Sequence, residues 1–478
     1  MFGLFFGKAK DRLVGIELRG TMSKRILLML ALASGIFVAK SNGREAVEIQ
    51  AFSAAARLAL KSNADVANGS LDIAESQERF REVLSDGLPQ IKASGKANDY
   101  VVIPTTVYPA SALSGLLGGA ASGIPTKNIA IQIGTTYNVD GALIVRQTLF
   151  DASFFAGLRV AKSSTQMSKQ ILRKTKEDVI IQLASAYYGF MLSQKQAGFL
   201  QKQLDSYKSL LRVVEIQLQA GVAKKSDLDR LMVNKTNIET ELENIKNLAE
   251  EQISNLKLLI GLDNEKQVVI LDSLSEAPIF PEENEFYDIR NRADWQILQN
   301  QEEVEHFQIR QEQAGYAPVL ALTAQANKDF YDNQFKPFTG DWYNSSFVAL
   351  SLDFPIFDGL KKRSQIAQSR IEFDKIRNRK TLLLSAASLE IQDAQNKLNY
   401  SGIRLQSQKT NQELAMEVYR ETTVQYNGGT ASLSDLLNAE ASLLESQRQY
   451  LQALADKILA EFAIQKAKGV LLQDLKID

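Results

Sequence analysis

Two aspartates, Asp227 and Asp435, are the residues of this 478-residue chain whose setting invites a chemical reading. Each lies six positions after a glycine and is followed at once by Leu, in "LQAGVAKKSDLDRL" (218–231) and "YNGGTASLSDLLNA" (426–439). A carboxylate so soon after a glycine reversal falls near the start of the next helix, where it favours the positive end of the helix dipole. Brought close to copies of itself, the same carboxylate would repel them and attract cations or protons. Elsewhere the chemistry is thin. The single His306, in the helical stretch "EEVEHFQIR", reads as a surface or packing residue rather than an acid, base or ligand. There is no Cys, which suits an oxidising compartment and excludes thiol chemistry and cysteine zinc sites. No phosphate loop, paired metal-ligand motif or nucleophile elbow appears, and the acidic clusters "PEENEF" and "ETELEN" read as solvated linker and helix face. No enzyme, metal or cofactor is therefore expected. With 55 Lys+Arg against 56 Asp+Glu there is no basic excess for a nucleic-acid partner.

The elements that position the two aspartates are themselves duplicated. Residues 63–98 align without a gap on 292–327, so that Asp65 falls on Asp294, Pro89 on Pro318 and Asn98 on Asn327. Further on, Asp151 matches Asp358, while Gly221, Asp227 and Gly261 match Gly429, Asp435 and Gly469. The change of offset leaves 22 extra residues in the first copy between Asn98 and Phe150. Each copy reads as helix, extended pair, long helix, glycine turn and return helix. The first repeat spans 42–277, with its strand pair at about 89–150. The second spans 278–478, with its pair at about 318–357.

Ahead of the repeats, "MSKRILLMLALASGIFVAKSN" from Met22 has a basic start, an apolar run from Ile26 to Ala39 and a small-residue site before Asn42. That pattern is a secretory signal peptide, giving a leader at 1–41 whose first 21 residues are an upstream segment. A membrane-anchoring helix is the alternative, but the apolar stretch is short for a span. No Cys follows the site, so lipoprotein acylation is excluded. Beyond residue 42 there is no run of about 18 apolar residues, so the exported chain is either soluble or inserted as β-strands.

The extended pairs alternate strictly. In "QIKASGKAN", Ile91, Ala93, Gly95 and Ala97 share one face, and Lys92, Ser94, Lys96 and Asn98 the other. "VLALTAQAN" sets Leu320, Leu322, Ala324 and Ala326 against Thr323, Gln325 and Asn327, and "SSFVALSLDFPIF" sets Val348, Leu350, Leu352 and Phe354 against Ala349, Ser351 and Asp353. A soluble protein would half-bury such strands on a core. Recurring in an exported, otherwise helical chain, they also fit the roughly ten-residue segments of a membrane barrel, with lipid outside and water inside. "GALIVRQTLF" is a less clean returning strand, "NIAIQIGTTY" alternates before it, and "YPASALSGLLGGAASGIP" reads as an external loop.

The helices are long. No proline interrupts 126–277 or 356–478, and a continuous helix of roughly 70 residues before Gly221 would reach on the order of 100 Å. After the second turn Leu437, Leu444, Leu451 and Ile458 recur every seven residues, and after the first so do Leu231, Ile238 and Ile245. Both are coiled-coil seams.

Over residues 45–472 the chain resembles the TolC family of outer-membrane efflux proteins. The resemblance is carried by the paired Gly-x5-Asp turns, by Gly261 and Gly469 closing the return helices, and by "FPIFDG" at 354–359. "RAD" at 292–294 departs from the family's usual Arg-Pro-Asp. The resemblance implies a mostly α fold with a membrane β-barrel portion: a homotrimeric α-helical barrel continued by one shared β-barrel with four strands per protomer. Two strand pairs cannot close a barrel alone, and lipid tolerates no open edge. It implies an outer-membrane location with a long periplasmic extension, and a passive exit duct of a tripartite efflux pump or type I secretion system. A periplasmic adaptor (membrane fusion protein), an inner-membrane transporter and outer-membrane lipid would be its partners. The tips that dock the adaptor would be Gly221, Val222 and Asp227, with Gly428, Gly429 and Asp435. Asp435 would line the closed periplasmic entrance as an acidic ring. A second aspartate known one turn later in the family is Asn438 here, which weakens the expected cation trap. Lys92, Lys96, Gln325 and Asp353 would face the barrel lumen. For Asp227 and Asp435 a plain helix-start role stays open. A periplasmic adaptor would have one hairpin between soluble β-domains, and a purely structural coiled coil would lack the strands.

Overall fold

The structure, a computed structural model, describes residues 36–41, 44–109, 127–280 and 287–477, with the backbone alone over 36–46. The chain divides into two compact units. One holds the residues up to Ser70, Ile171–Trp295 and Leu383 onward; the other holds Leu71–Gln170 and Gln296–Leu382.

The second unit is built on a four-stranded antiparallel sheet of β3 (Gln90–Asp99), β6 (Tyr137–Phe150), β8 (Val319–Asp332) and β9 (Trp342–Asp353), in the order β3-β6-β8-β9. Both predicted strand pairs are present. The second ends at Asp353, short of the extended reading to 357, because Pro355 has no N–H to give a ladder. The register shows how the alternation is used: Ile91, Val145, Ala324 and Val348 form one row straight across the sheet. Ile91 and Val348 are each 72 % exposed, so among the described residues nothing covers the two ends of this apolar row. On the opposite face lie Lys92 and Lys96, with Ile144 and Asp140 opposite them, then Gln325 and Asp329, and on β9 Phe347 and Asp353. The four residues read from sequence as lumen candidates thus share one face. A bulge between Thr148 and Phe150 bends β6 before it enters its helix. Part of the 22-residue insertion forms a ribbon of β4 (Thr105–Tyr108) and β5 (Ile129–Gln132); most of the predicted external loop lies outside the described residues.

The first unit has a sheet that the sequence did not announce. β1 (Ile36–Ser41) pairs antiparallel with β2 (Arg44–Ile49), which pairs in parallel with β7 (Gln267–Ile270). Of the expected leader only β1 is described; cleavage at Ser41 would remove it and leave β2 on β7. Two helices follow, α1 (Phe52–Ser62) and α2 (Ala64–Ser85), the latter leading into β3. The long helix α3 (Ala152–Gln219) and its return helix α4 (Lys225–Leu259) form the first hairpin. After α5 (Ala293–Ala314) and the second strand pair, α6 (Lys361–Asn427) and α7 (Leu433–Lys468) form the second, and a short α8 (Leu471–Asp474) follows. The core of this unit gathers Phe52, Tyr187, Tyr188 and Phe462, with ring centroids 5.0–6.0 Å apart. Mutual edge and stacked contacts of this kind fix the rings' orientation as well as burying their area.

Candidate docking tips and entrance

Both glycine reversals have the same backbone. Gly221 and Gly429 take φ of +73° and +74°, in the left-handed region. At the first, the N–H groups of Gly221 and Val222 donate to Leu218 and Gln217 carbonyls at 3.0 and 2.8 Å; at the second, those of Gly429 and Thr430 donate to Tyr426 and Gln425 at 3.0 and 2.9 Å. These bonds consume carbonyls that the ends of α3 and α6 would leave unmet. A Cβ at either glycine would meet nothing within 4 Å, so positive φ is the whole requirement for glycine here. Val222 is 77 % exposed, and Gly428 is exposed beside its neighbour.

The aspartates sit at equivalent places, the third residue of each return helix. Asp227 accepts from the Lys224 N–H at 3.4 Å. Asp435 is tied more closely: the Ser432 hydroxyl and N–H donate to it at 2.7 and 3.0 Å, and its own N–H donates back to the Ser432 hydroxyl at 3.2 Å. This is a reciprocal capping box. The hydroxyl and backbone donors of Ser432 hold the Asp435 carboxyl below the ordinary aspartate range. Asp435 and Asn438, three residues apart, are both exposed.

The two tips pack together. Leu231 and Leu433 are buried in one apolar cluster with Ala223, Leu228, Tyr426 and Leu437 around them. Burial, and then the nearby Asp227, push the Tyr426 phenol up. Arg230 of α4 donates to the Ser434 hydroxyl of α7 at 3.0 Å, a direct bond between the hairpins. The predicted seams are buried as the heptads require: Ile238 and Ile245 on α4, Leu451 and Ile458 on α7, with Leu437 and Leu444 partly so. Sequence reasoning passed over Ser432, Arg230 and Ser434. The first was detectable as Ser-x-x-Asp before an apolar run; the cross-hairpin bond has no local signal. His306 lies in the other unit, its ring centroid 5.7 Å from that of Phe307 and 6.3 Å from that of Phe373. Among the described residues no helix is long and apolar enough to cross a membrane, which says nothing of strands.

The model of the family described as "Outer membrane efflux protein" matches residues 290–470, nearly all of the second repeat, and the first repeat carries the same turns and aspartates. Over that stretch the chain is similar to the outer membrane efflux proteins. The alkaline protease secretion protein AprF of Pseudomonas aeruginosa is similar at 20 % identity over 340 residues, covering 69 % of either chain. The outer membrane protein TolC of Escherichia coli is similar at 20 % over 352 residues, again 69 % of each. Among solved structures, the CmeC outer membrane channel of Campylobacter jejuni superposes with a TM-score of 0.70 at 16 % identity, over 88 % of this chain and 86 % of that one. The fold of that channel therefore extends across both repeats, beyond the stretch matched by the family model.

Proposed function

We propose that the protein is the outer-membrane exit duct of a tripartite efflux pump or type I secretion system, a passive conduit and not an enzyme. The observation that carries this reading is the four-stranded sheet, with an apolar face, a polar face and, among the described residues, two unpaired edges at β3 and β9. Such edges are not tolerated in hydrocarbon. Since β9 and β3 run in opposite directions, three copies can join them antiparallel into a closed barrel whose polar face, with Lys92, Lys96, Gln325 and Asp353, surrounds water. The assembly is a homotrimer, with a periplasmic adaptor on the tips and an inner-membrane transporter that chooses the cargo. Electron microscopy of the outer-membrane protein should show threefold symmetry; a monomer with its own closed barrel would overturn the reading.

The tips supply the adaptor site: Gly221, Val222 and Asp227 from one hairpin, Gly428, Gly429 and Asp435 from the other. Replacing Gly221 or Gly429 by Trp should abolish export while the trimer still inserts, since space is open there. Normal export by both variants at normal protein levels would remove these glycines from the interface. Asp435 from three protomers forms the acidic ring of the resting entrance, which passes little current and is blocked by multivalent cations from the periplasmic side. In bilayer recordings Asp435→Ala should relieve that block and Asn438→Asp should strengthen it. Unchanged block in Asp435→Ala would leave Asp435 as a helix cap only.

A further inference from the structure

Five residues beyond Asp435, Glu440 is only 5 % exposed, on the face of α7 that also buries Leu436 and Leu443. The Tyr207 hydroxyl and the Gln203 amide of α3 face its carboxyl and favour its charged form. Asn234 of α4 faces the Tyr207 phenol and Tyr419 of α6 faces the same carboxyl, while the Ser206 and Thr423 hydroxyls beside them donate to the backbone carbonyls of Lys202 and Tyr419 at 3.2 and 2.7 Å. Polar side chains from all four helices of the two hairpins thus cluster inside an otherwise apolar seam. Among the described residues no lysine or arginine is paired with Glu440: Lys202 and Asp205 of α3 and Tyr426 of α6 line the adjoining cavities without bonding to it. Gln203 keeps one buried acceptor, Oε1, with no donor, beside a cavity of about 150 Å³ that Gln447 also lines.

We propose that Glu440 is the proton-binding group of a lock that holds α7 against α3 beside the two tips. A neutral carboxyl is both donor and acceptor, so it can return a hydrogen bond to the amide oxygen of Gln203, which a carboxylate cannot. Ionised, the same group is a buried charge without a counterion, and the packed arrangement loses to one that lets water reach it. Burial pushes the Glu440 carboxyl up to about 7, with the Tyr207 and Gln203 donors pulling the other way. Both phenols are pushed up by burial and stay protonated donors at neutral pH. A carboxyl raised in the packed state favours packing at low pH and weakens it as pH rises through the raised value. The lock is therefore closed in acid and loosened toward pH 8. What this does to the entrance rests on the duct reading above; the lock itself does not.

Hydrogen–deuterium exchange on the full-length protein in detergent, corrected for the intrinsic chemical rate, tests it without adaptor or export. Between pH 5 and 8 the α3 and α7 segments around Gln203 and Glu440 should gain on the order of 50-fold in corrected exchange, and Glu440→Gln should remove that dependence. Flat exchange in the unmodified protein, or the same slope in Glu440→Gln, would overturn the lock. Tyr207→Phe gives an independent reading: losing a donor to the carboxylate must move the midpoint to higher pH, and a midpoint that stays or falls sinks the proposal.

Discussion

The two repeats close their return helices with the same backbone and different side chains. Both α4 and α7 end on a glycine with positive φ, Gly261 at +67° and Gly469 at +74°. In each repeat a residue near the start of the next-door helix reaches the last-turn carbonyl: Asn63 Nδ2 donates to Leu259 at 3.1 Å, and Arg292 Nη1 donates to Ala467 at 2.7 Å. These pairs are equivalent under the duplication. Asn63 also caps α2, accepting from the N–H groups of Asp65 and Val66 at 2.9 and 3.3 Å. Arg292 instead carries a charge into the joint and needs Asp294 and Glu390 to meet it, at 2.8 and 2.7 Å. A neutral cap and an ion-paired clamp do one job, and they should fail differently.

The largest effect is expected where the charge is removed. Arg292→Ala strands the half-buried Asp294 and should cost about 3–5 kcal/mol, read from the urea midpoint of helical circular dichroism. Asn63→Ala, which loses a cap without leaving a charge, should cost about 1–2 kcal/mol. Equal losses would mean that the ion pair adds nothing to the second joint.

The comparison between basal and tip glycines comes next. A Cβ at Gly261 would stand 2.6 Å from the Ser62 carbonyl oxygen, and one at Gly469 3.0 Å from the Arg292 Cα, whereas the tip glycines have open space. Gly261→Ala therefore adds a backbone clash to the unfavourable φ and should cost about 3 kcal/mol or more, against roughly 1 kcal/mol for Gly221→Ala. A tip substitution as costly as the basal one would show that the turn is packed in the assembled protein.

The caps differ by less. Ser432→Ala should cost about 1 kcal/mol, while Lys224→Ala, whose side chain makes no cap, should stay within about 0.5 kcal/mol. The smallest expected effect is the acid sensitivity of the second joint. Burial alone would raise the Asp294 carboxyl, but Arg292 more than offsets it and holds it below its ordinary 3.8. A carboxylate depressed in the folded state stabilises it above that ordinary value and loses the contribution as pH falls below it. The unmodified protein should then soften below about pH 4 more than Asp294→Asn does; identical acid profiles would argue against a charged clamp.

The amino-acid order alone determined the duplication, the paired glycine turns, the seams and the strand pairs, because each is a local signal. Period-two alternation from Gln90 to Asn98, heptads from Leu437 to Ile458 and glycine at 221 and 429 need no distant partner to be read. Tertiary structure decided what joins residues far apart. β2 meets β7 across more than 200 positions, and four residues on four strands become one row only through the register. The repeat alignment pairs Asn63 with Arg292, but only the structure shows that both reach the same carbonyl of their repeats. Glu440 shows the limit most sharply. In sequence it is one more carboxylate on a long helix; only the approach of Tyr207, Gln203 and Tyr419 from two other helices buries it. Burial depends on which helix faces pack together, and a helical period names the faces without naming their partners.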